Sequence, residues 1–201
     1  MIYIEYISRR SGVSDEDFDA AMAKGQDGWD SGFAEDQLVW NAARTWRLGP
    51  EPEHIGVWYS PGLGFERIDH WDQIFRSGEA DEFEVPFRKV ARIDMAGCYE
   101  PLIEPVRTRN GIYYAEFFQA TGGLSEIRNF YQERVQRHSR FSLILLVQRI
   151  GRLGPDPGGL GVWTIPSFAA LEEIAQELDD AQSPIRLVTA GTYTDAGNQI
   201  L

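Results

Sequence analysis

Residues 46–58 read WRLGPEPEHIGVW, and residues 151–163 read GRLGPDPGGLGVW. The phrases stand at a constant offset of 105 residues (47 to 152 for the arginines, 58 to 163 for the tryptophans). Two Gly-Pro turns with matching flanks mark an internal duplication, and a duplication governs how every other segment is read. Before the first phrase, IYIEYIS (2–8) has the β-branched and aromatic content of a strand. A helix follows in SDEDFDAAMAKGQDGWDSGF, with Ser14 as N-cap and acidic residues in its first turn. QLVWNAARTWRLG and HIGVWYS form strands around Gly49-Pro50, ERIDHWDQIFRSG a second short helix, and VARIDMAGCYEPL a last strand.

The second copy repeats this order. GIYYAEFF (111–118) is its first strand, and LSEIRNFYQERVQRH a helix with Ser125 as N-cap. RFSLILLVQRIGRLG and GLGVWTIP make the hairpin around Gly154-Pro155. SFAALEEIAQELDDA is a helix capped by Ser167, and IRLVTAGTYT the closing strand. Each copy is therefore a βαββαβ, ferredoxin-like unit, with four antiparallel strands and two helices on one face. The bare sheet face needs another sheet to cover it, and the sister copy supplies one. The expected fold class is α+β: tandem ferredoxin-like units, residues 1–104 and 111–201, whose sheets pack face to face within one chain. The segment 100–110, with Pro101 and Pro105, is the junction.

Composition bounds the function. The chain has 201 residues, 43% hydrophobic and 25% charged, as in a soluble globular protein with a real core. A net charge of −12 repels phosphate backbones, so nucleic acid is a poor partner. Cys98 alone supports neither a disulfide framework nor a multi-cysteine metal site. MIYIEYISRR lacks the layout of a signal peptide, and FSLILLV is too short to span a bilayer, so no membrane and a cytoplasmic address are expected. No P-loop, dinucleotide fingerprint or nucleophile elbow occurs.

With its duplicated βαββαβ order and the YEPL ending at 99–102, the chain resembles the dimeric α/β-barrel superfamily, in particular its NIPSNAP-like branch. The resemblance covers nearly the whole chain. It implies a barrel enclosing a small-molecule site, in a superfamily that includes cofactor-free monooxygenases, isomerases, lyases and haem-binding proteins. Fold alone does not choose among these.

If the two sheets face each other, the space between them is the pocket. Glu5 and Glu116 are matched carboxylates inside otherwise apolar-aromatic first strands. Each is either a paired or solvent-facing structural residue or a pocket group with a raised pKa, able to act as general base. Arg44 and Arg149 recur deep in the second strands, and Arg47 and Arg152 beside the turn. Arg44, on the same strand face as Trp40 and Trp46, suits a carboxylate or enolate ligand. The bland alternative is internal pairing of Glu5 with Arg44 and Glu116 with Arg149. Trp58 and Trp163 recur in the third strands, as core or as ligand walls. Trp40, Trp46 and Tyr59 have smaller or less aromatic counterparts in copy two (Leu145, Gly151, Thr164), which favours copy one as the working side.

Among the histidines, His54 starts a strand, His70 lies on a short helix, and His138 ends a helix where a cation suits the dipole. No metal-ligand spacing occurs.

The expected function is binding of a small organic anion or aromatic compound between the sheets, with cofactor-free isomerase, lyase or monooxygenase chemistry. Glu5 would be the base, Arg44 the oxyanion clamp and His54 or Tyr59 a second acid. Trp40, Trp46 and Trp58 would form walls, with Glu116 and Arg149 as further binding residues. A non-catalytic carrier and, less favoured, a haem protein are the alternatives. A homodimer is preferred, a monomer allowed.

Overall fold

A computed structural model describes residues 1–30, 37–45, 49, 53–62, 64–175 and 183–195. The first unit runs β1 (Ile2–Arg9), α1 (Asp15–Asp30), β2 (Gln37–Arg44), β3 (His54–Tyr59), α2 (Glu66–Ser77), α3 (Asp81–Val90) and β4 (Ala91–Pro101). The second runs β5 (Ile112–Ala120), α4 (Leu124–Arg137), β6 (Ser142–Arg149) and β7 (Gly159–Ile165). A 3-10 turn (Phe168–Ala170), α5 (Leu171–Ala175) and β8 (Ile185–Asp195) complete it. The expected βαββαβ order is present twice, with α3 added in the first unit.

The strands close into one antiparallel barrel in the order β1-β3-β2-β8-β5-β7-β6-β4, with β4 returning to β1. The two sheets join edge to edge through β2–β8 and β4–β6. Matching irregularities record the duplication. A bulge lies between Leu38 and Trp40 of β2 and between Leu143 and Leu145 of β6. A second lies between Tyr6 and Ile7 of β1 and between Phe117 and Phe118 of β5.

Alternation then sorts the side chains. Ile2, Ile4 and Tyr6 of β1, and Tyr113, Ala115 and Phe117 of β5, enter the barrel core. Their neighbours, including Glu5 and Glu116, face the helices. The space between the sheets is filled: Trp40 is fully buried there, with its ring 5.6 Å from that of Tyr113 and 5.5 Å from that of Tyr193. An eight-stranded barrel is just wide enough for its own side chains. This corrects the expected location of the pocket, because period-two alternation separates two faces without saying which one turns inward.

The repeated phrase also does more than turn the chain. Gly49 and Gly154 have φ of +129° and +150°. A Cβ on Gly49 would come within 2.6 Å of Gly191 Cα in β8, and one on Gly154 within 2.9 Å of Gly97 Cα in β4. Gly49 lies backbone to backbone on β8 of the second unit, and the Gly154 loop on β4 of the first. The second loop extends the pairing, Cys98 N–H donating to Leu153 O at 2.8 Å and Ile150 N–H to Cys98 O at 2.9 Å.

Helix ends follow the sequence in part. Ser14 Oγ accepts the Asp17 N–H at 3.1 Å, as a cap does. In α4 the cap position is Gly123, whose N–H donates to the Glu126 carboxylate at 2.6 Å, so Ser125 lies within the first turn. Ser167 makes no capping bond and precedes the 3-10 turn. Residues 176–181 of the expected last helix lie outside the described residues.

Candidate functional site

The cavity lies outside the barrel, between the sheet of the first unit and its helices. Its floor is Tyr3, Glu5 and Ile7 of β1, with Leu38 and Asn41 of β2 and Trp58 of β3. Helix α1 contributes Ala21, Met22 and Gly25, α2 contributes Trp71 and Phe75, and α3 contributes Phe83, Glu84 and Phe87. Its volume is about 110 Å³, room for several water-sized groups. No lysine, arginine or histidine is among the described lining residues.

Glu5 dominates the chemistry. It is partly buried, with its carboxyl at the floor of an otherwise apolar and aromatic space. Desolvation, reinforced by the charge of Glu84, pushes its pKa up to about 8, against a hydrogen bond from Tyr3 that favours the charged form. Burial and the same carboxylate raise the Tyr3 hydroxyl. The Tyr3 ring lies 5.0 Å from Trp71 and 6.3 Å from Trp58. Glu84 is held by Arg88 at 2.9 Å, one turn along α3. A neutral carboxyl that ionises near pH 8 can give or take a proton under ordinary conditions.

The second unit treats the same position differently. Glu116 is fully buried and receives both terminal nitrogens of Arg134 at 2.8 Å. The Tyr131 hydroxyl donates to it at 2.9 Å and the Trp163 Nε1–H at 3.2 Å. The Arg134 guanidinium lies 5.0 Å from the Trp163 ring centroid and 5.3 Å from that of Tyr131. This carboxylate is satisfied by its own chain and structural.

Other expected site residues are dispersed. Trp58 lines the cavity, as expected for a wall. Trp40 and Tyr59 are buried on the barrel side, Tyr59 donating to Glu104 at 3.2 Å. Arg44 and Arg149 follow the barrel-facing register, so neither pairing expected with the glutamates forms. Arg44 donates to Gly49 O at 3.2 Å. Arg149 donates to Gly154 O and Pro155 O at 2.8 Å and meets Asp156 at 2.8 Å. Both arginines brace the repeated loops. His54 is buried under α1 with its ring 4.5 Å from Phe18, and desolvation, then Arg9 and Arg44, lowers its pKa to about 4. Its neutral ring is core, away from the cavity lining. Trp46 lies outside the described residues.

Haem does not fit these residues. His54 is sealed in the core, His70 is exposed on α2, and His138 caps α4 against Phe141. None lines the cavity. No cluster of metal-ligating side chains occurs among the described residues.

The architecture has clear counterparts. A chlorite dismutase-like protein is 14% identical, with 98% of this chain and 96% of that one covered and a TM-score of 0.58. The chain has the dimeric α/β-barrel fold. A mutant chlorite dismutase from Candidatus Nitrospira defluvii in complex with cyanide shares this barrel at 8% identity (98% and 92% covered, TM-score 0.58). A monooxygenase-like protein from Lactobacillus acidophilus does so at 9% identity (99% and 97% covered, TM-score 0.55). At these identities the likeness of the barrels speaks to fold alone. No protein-family profile and no curated protein matches the sequence.

The sequence missed Tyr3, Asn41, Trp71 and the whole of α3 as parts of the site. Residues 81–90 carry Phe83 and Phe87 around an internal Pro86, which masks a helical pattern. Gly25 was missed for another reason. The strand motifs repeat visibly between the copies, whereas α1 and α4 share too little sequence to show the correspondence of Gly25 with Arg134.

Proposed function

We propose that the protein binds a small organic compound in the cavity over Glu5 and performs cofactor-free acid–base chemistry there, of the isomerase, lyase or monooxygenase kind. The observation that carries this reading is a carboxyl poised near pH 8 at the floor of an aromatic cavity. Glu5 is the proton-transfer group and Trp58 and Trp71 are walls. An anionic ligand is disfavoured, because no basic side chain is among the described lining residues and Glu84 adds negative charge. The carrier reading draws support from the scarcity of second polar groups, Asn41 and Tyr3 being the neutral ones beside Glu5.

The duplicated order supports a NIPSNAP-like placement, and no helix among the described residues is long and apolar enough to cross a membrane. Exposed Ile93 and Met95 on β4 and Val188 on β8 support a homodimer, and a cytoplasmic address is part of the same proposal.

A tryptophan-fluorescence screen of small aromatic compounds tests the binding. Hits should weaken at least tenfold in both Glu5→Gln and Trp58→Phe; no hits, or hits indifferent to both changes, would overturn the reading. Exchange of a bound compound's acidic C–H into D2O separates the variants. Exchange by the wild type and not by Glu5→Gln supports catalysis, and binding without exchange supports the carrier.

A further inference from the structure

The two units form an internal comparison. Helices α1 and α4 start 109 residues apart, at Asp15 and Leu124. At that offset the buried Phe18 falls with Ile127, the buried Met22 with Tyr131, and the half-buried Gly25 with the buried Arg134. The strand residues beneath are kept as Tyr3 with Tyr114, Glu5 with Glu116 and Trp58 with Trp163. The first unit therefore retains the carboxylate and indole that hold a guanidinium in the second, and carries glycine where the arginine would be. Nothing lies within 4 Å of the position a Cβ on Gly25 would take. The cavity, lined by Met22 and Gly25, lies where Tyr131 and Arg134 would stand by this correspondence.

We infer that this cavity takes a small organic cation, with a guanidinium, amidinium or primary ammonium head on Glu5 and a flat apolar body among Trp58, Trp71 and the α3 phenylalanines. The inference rests on the small-molecule reading of the same cavity and names its ligand class. Three features agree with it. A planar bidentate head would reproduce the Arg134–Glu116 geometry. The aromatic lining attracts a cation through its ring faces, as the rings around Arg134 do at 5.0–5.6 Å. Glu84 adds a second negative charge across the space, which its exposed partner Arg88 only partly offsets.

The chemistry carries a proton. Without a cation, Glu5 is largely protonated at neutral pH. The groups facing it are Tyr3 on its own strand, Trp58 on the neighbouring β3, Asn41 on β2 beyond it, the neutral α1 and α2 residues, and Glu84 of α3, the other carboxylate. A bound cation stabilises the carboxylate, so binding expels a proton into solvent. Affinity then improves about tenfold per pH unit up to about pH 8 and levels above it.

Calorimetric titration of the full chain with benzamidine, its neutral isostere benzamide, and benzoate tests this at pH 6 to 9, in two buffers of different ionisation enthalpy. Benzamidine should bind at least tenfold more tightly than benzamide, benzoate should not bind, and close to one proton should be released at pH 6.5. Glu5→Gln should erase the preference for benzamidine. Gly25→Arg should abolish binding of both while raising the melting temperature, because it rebuilds the sister unit's ion pair. Equal binding of benzamide and benzamidine, or preference for benzoate, overturns the cation and leaves the small-molecule reading standing. Absence of binding by all three removes both. A benzamidine preference that persists in Glu5→Gln places the cation elsewhere and also overturns the inference.

Discussion

Two glutamates at matched positions have opposite fates because of one helix residue each. Glu116 has Arg134 and is a sealed ion pair, the kind whose breakage leaves an uncompensated buried charge. Glu5 faces Gly25 and an open space, and responds by holding its proton. Its pKa is higher folded than unfolded, so its contribution to stability is complete below about pH 4.5 and is lost as pH rises to about 8. His54 acts in the opposite sense. Its lowered pKa costs stability as pH falls from about 6.5 to about 4, so the two slopes oppose each other between 4.5 and 6.5. Above pH 6.5 the His54 slope has ended and the Glu5 slope remains. Urea denaturation of wild type and Glu5→Gln should therefore give curves that diverge from pH 6.5 to 8, the variant gaining by about 1.4 kcal/mol per unit. Parallel curves would mean that Glu5 is ionised in the folded protein.

At the scale of elements, the repeated loop is a seam as well as a turn. Gly154 has positive φ and its Cα hydrogen side lies against Gly97, so a methyl group meets both backbone strain and a steric wall. Gly154→Ala should cost about 2–4 kcal/mol in equilibrium denaturation, within the range of overpacking plus a strained backbone. Gly12 also has positive φ, but nothing lies within 4 Å of a Cβ there, so Gly12→Ala is the control and should cost less. Helix α3 is the other element-level difference. It brings Phe83, Glu84 and Phe87 over the floor strands, which makes the first unit's outer face a cavity rather than a packed core. In the second unit, Tyr131, Phe118 and Trp163 pack that face together.

The whole molecule separates stability from function by side of the barrel wall. The interior is a shared core contributed by both units, and the candidate site belongs to one unit's outer face. Trp40→Ala should accordingly cost about 3–5 kcal/mol of stability, read by thermal or urea unfolding. Benzamidine affinity of the folded variant should stay within a few-fold of wild type. A large loss of affinity in a folded Trp40→Ala would tie the interior to the site.

The sequence by itself determined the duplicated order of strands and helices, α3 apart, and the pairing of sister sheets into a barrel, because turn chemistry and strand periodicity are local. It also distinguished the two copies by their aromatics, but not by the glycine at 25 that stands opposite Arg134. Only the tertiary structure decided which strand face turns inward. Alternation is symmetric between the faces, and closure of eight strands leaves room inside for side chains alone. That closure carried Arg44, Arg149, Trp40 and Tyr59 to the barrel side and left the open space beneath the helices, where Gly25 stands at the position of Arg134 and no basic side chain is among the described lining residues.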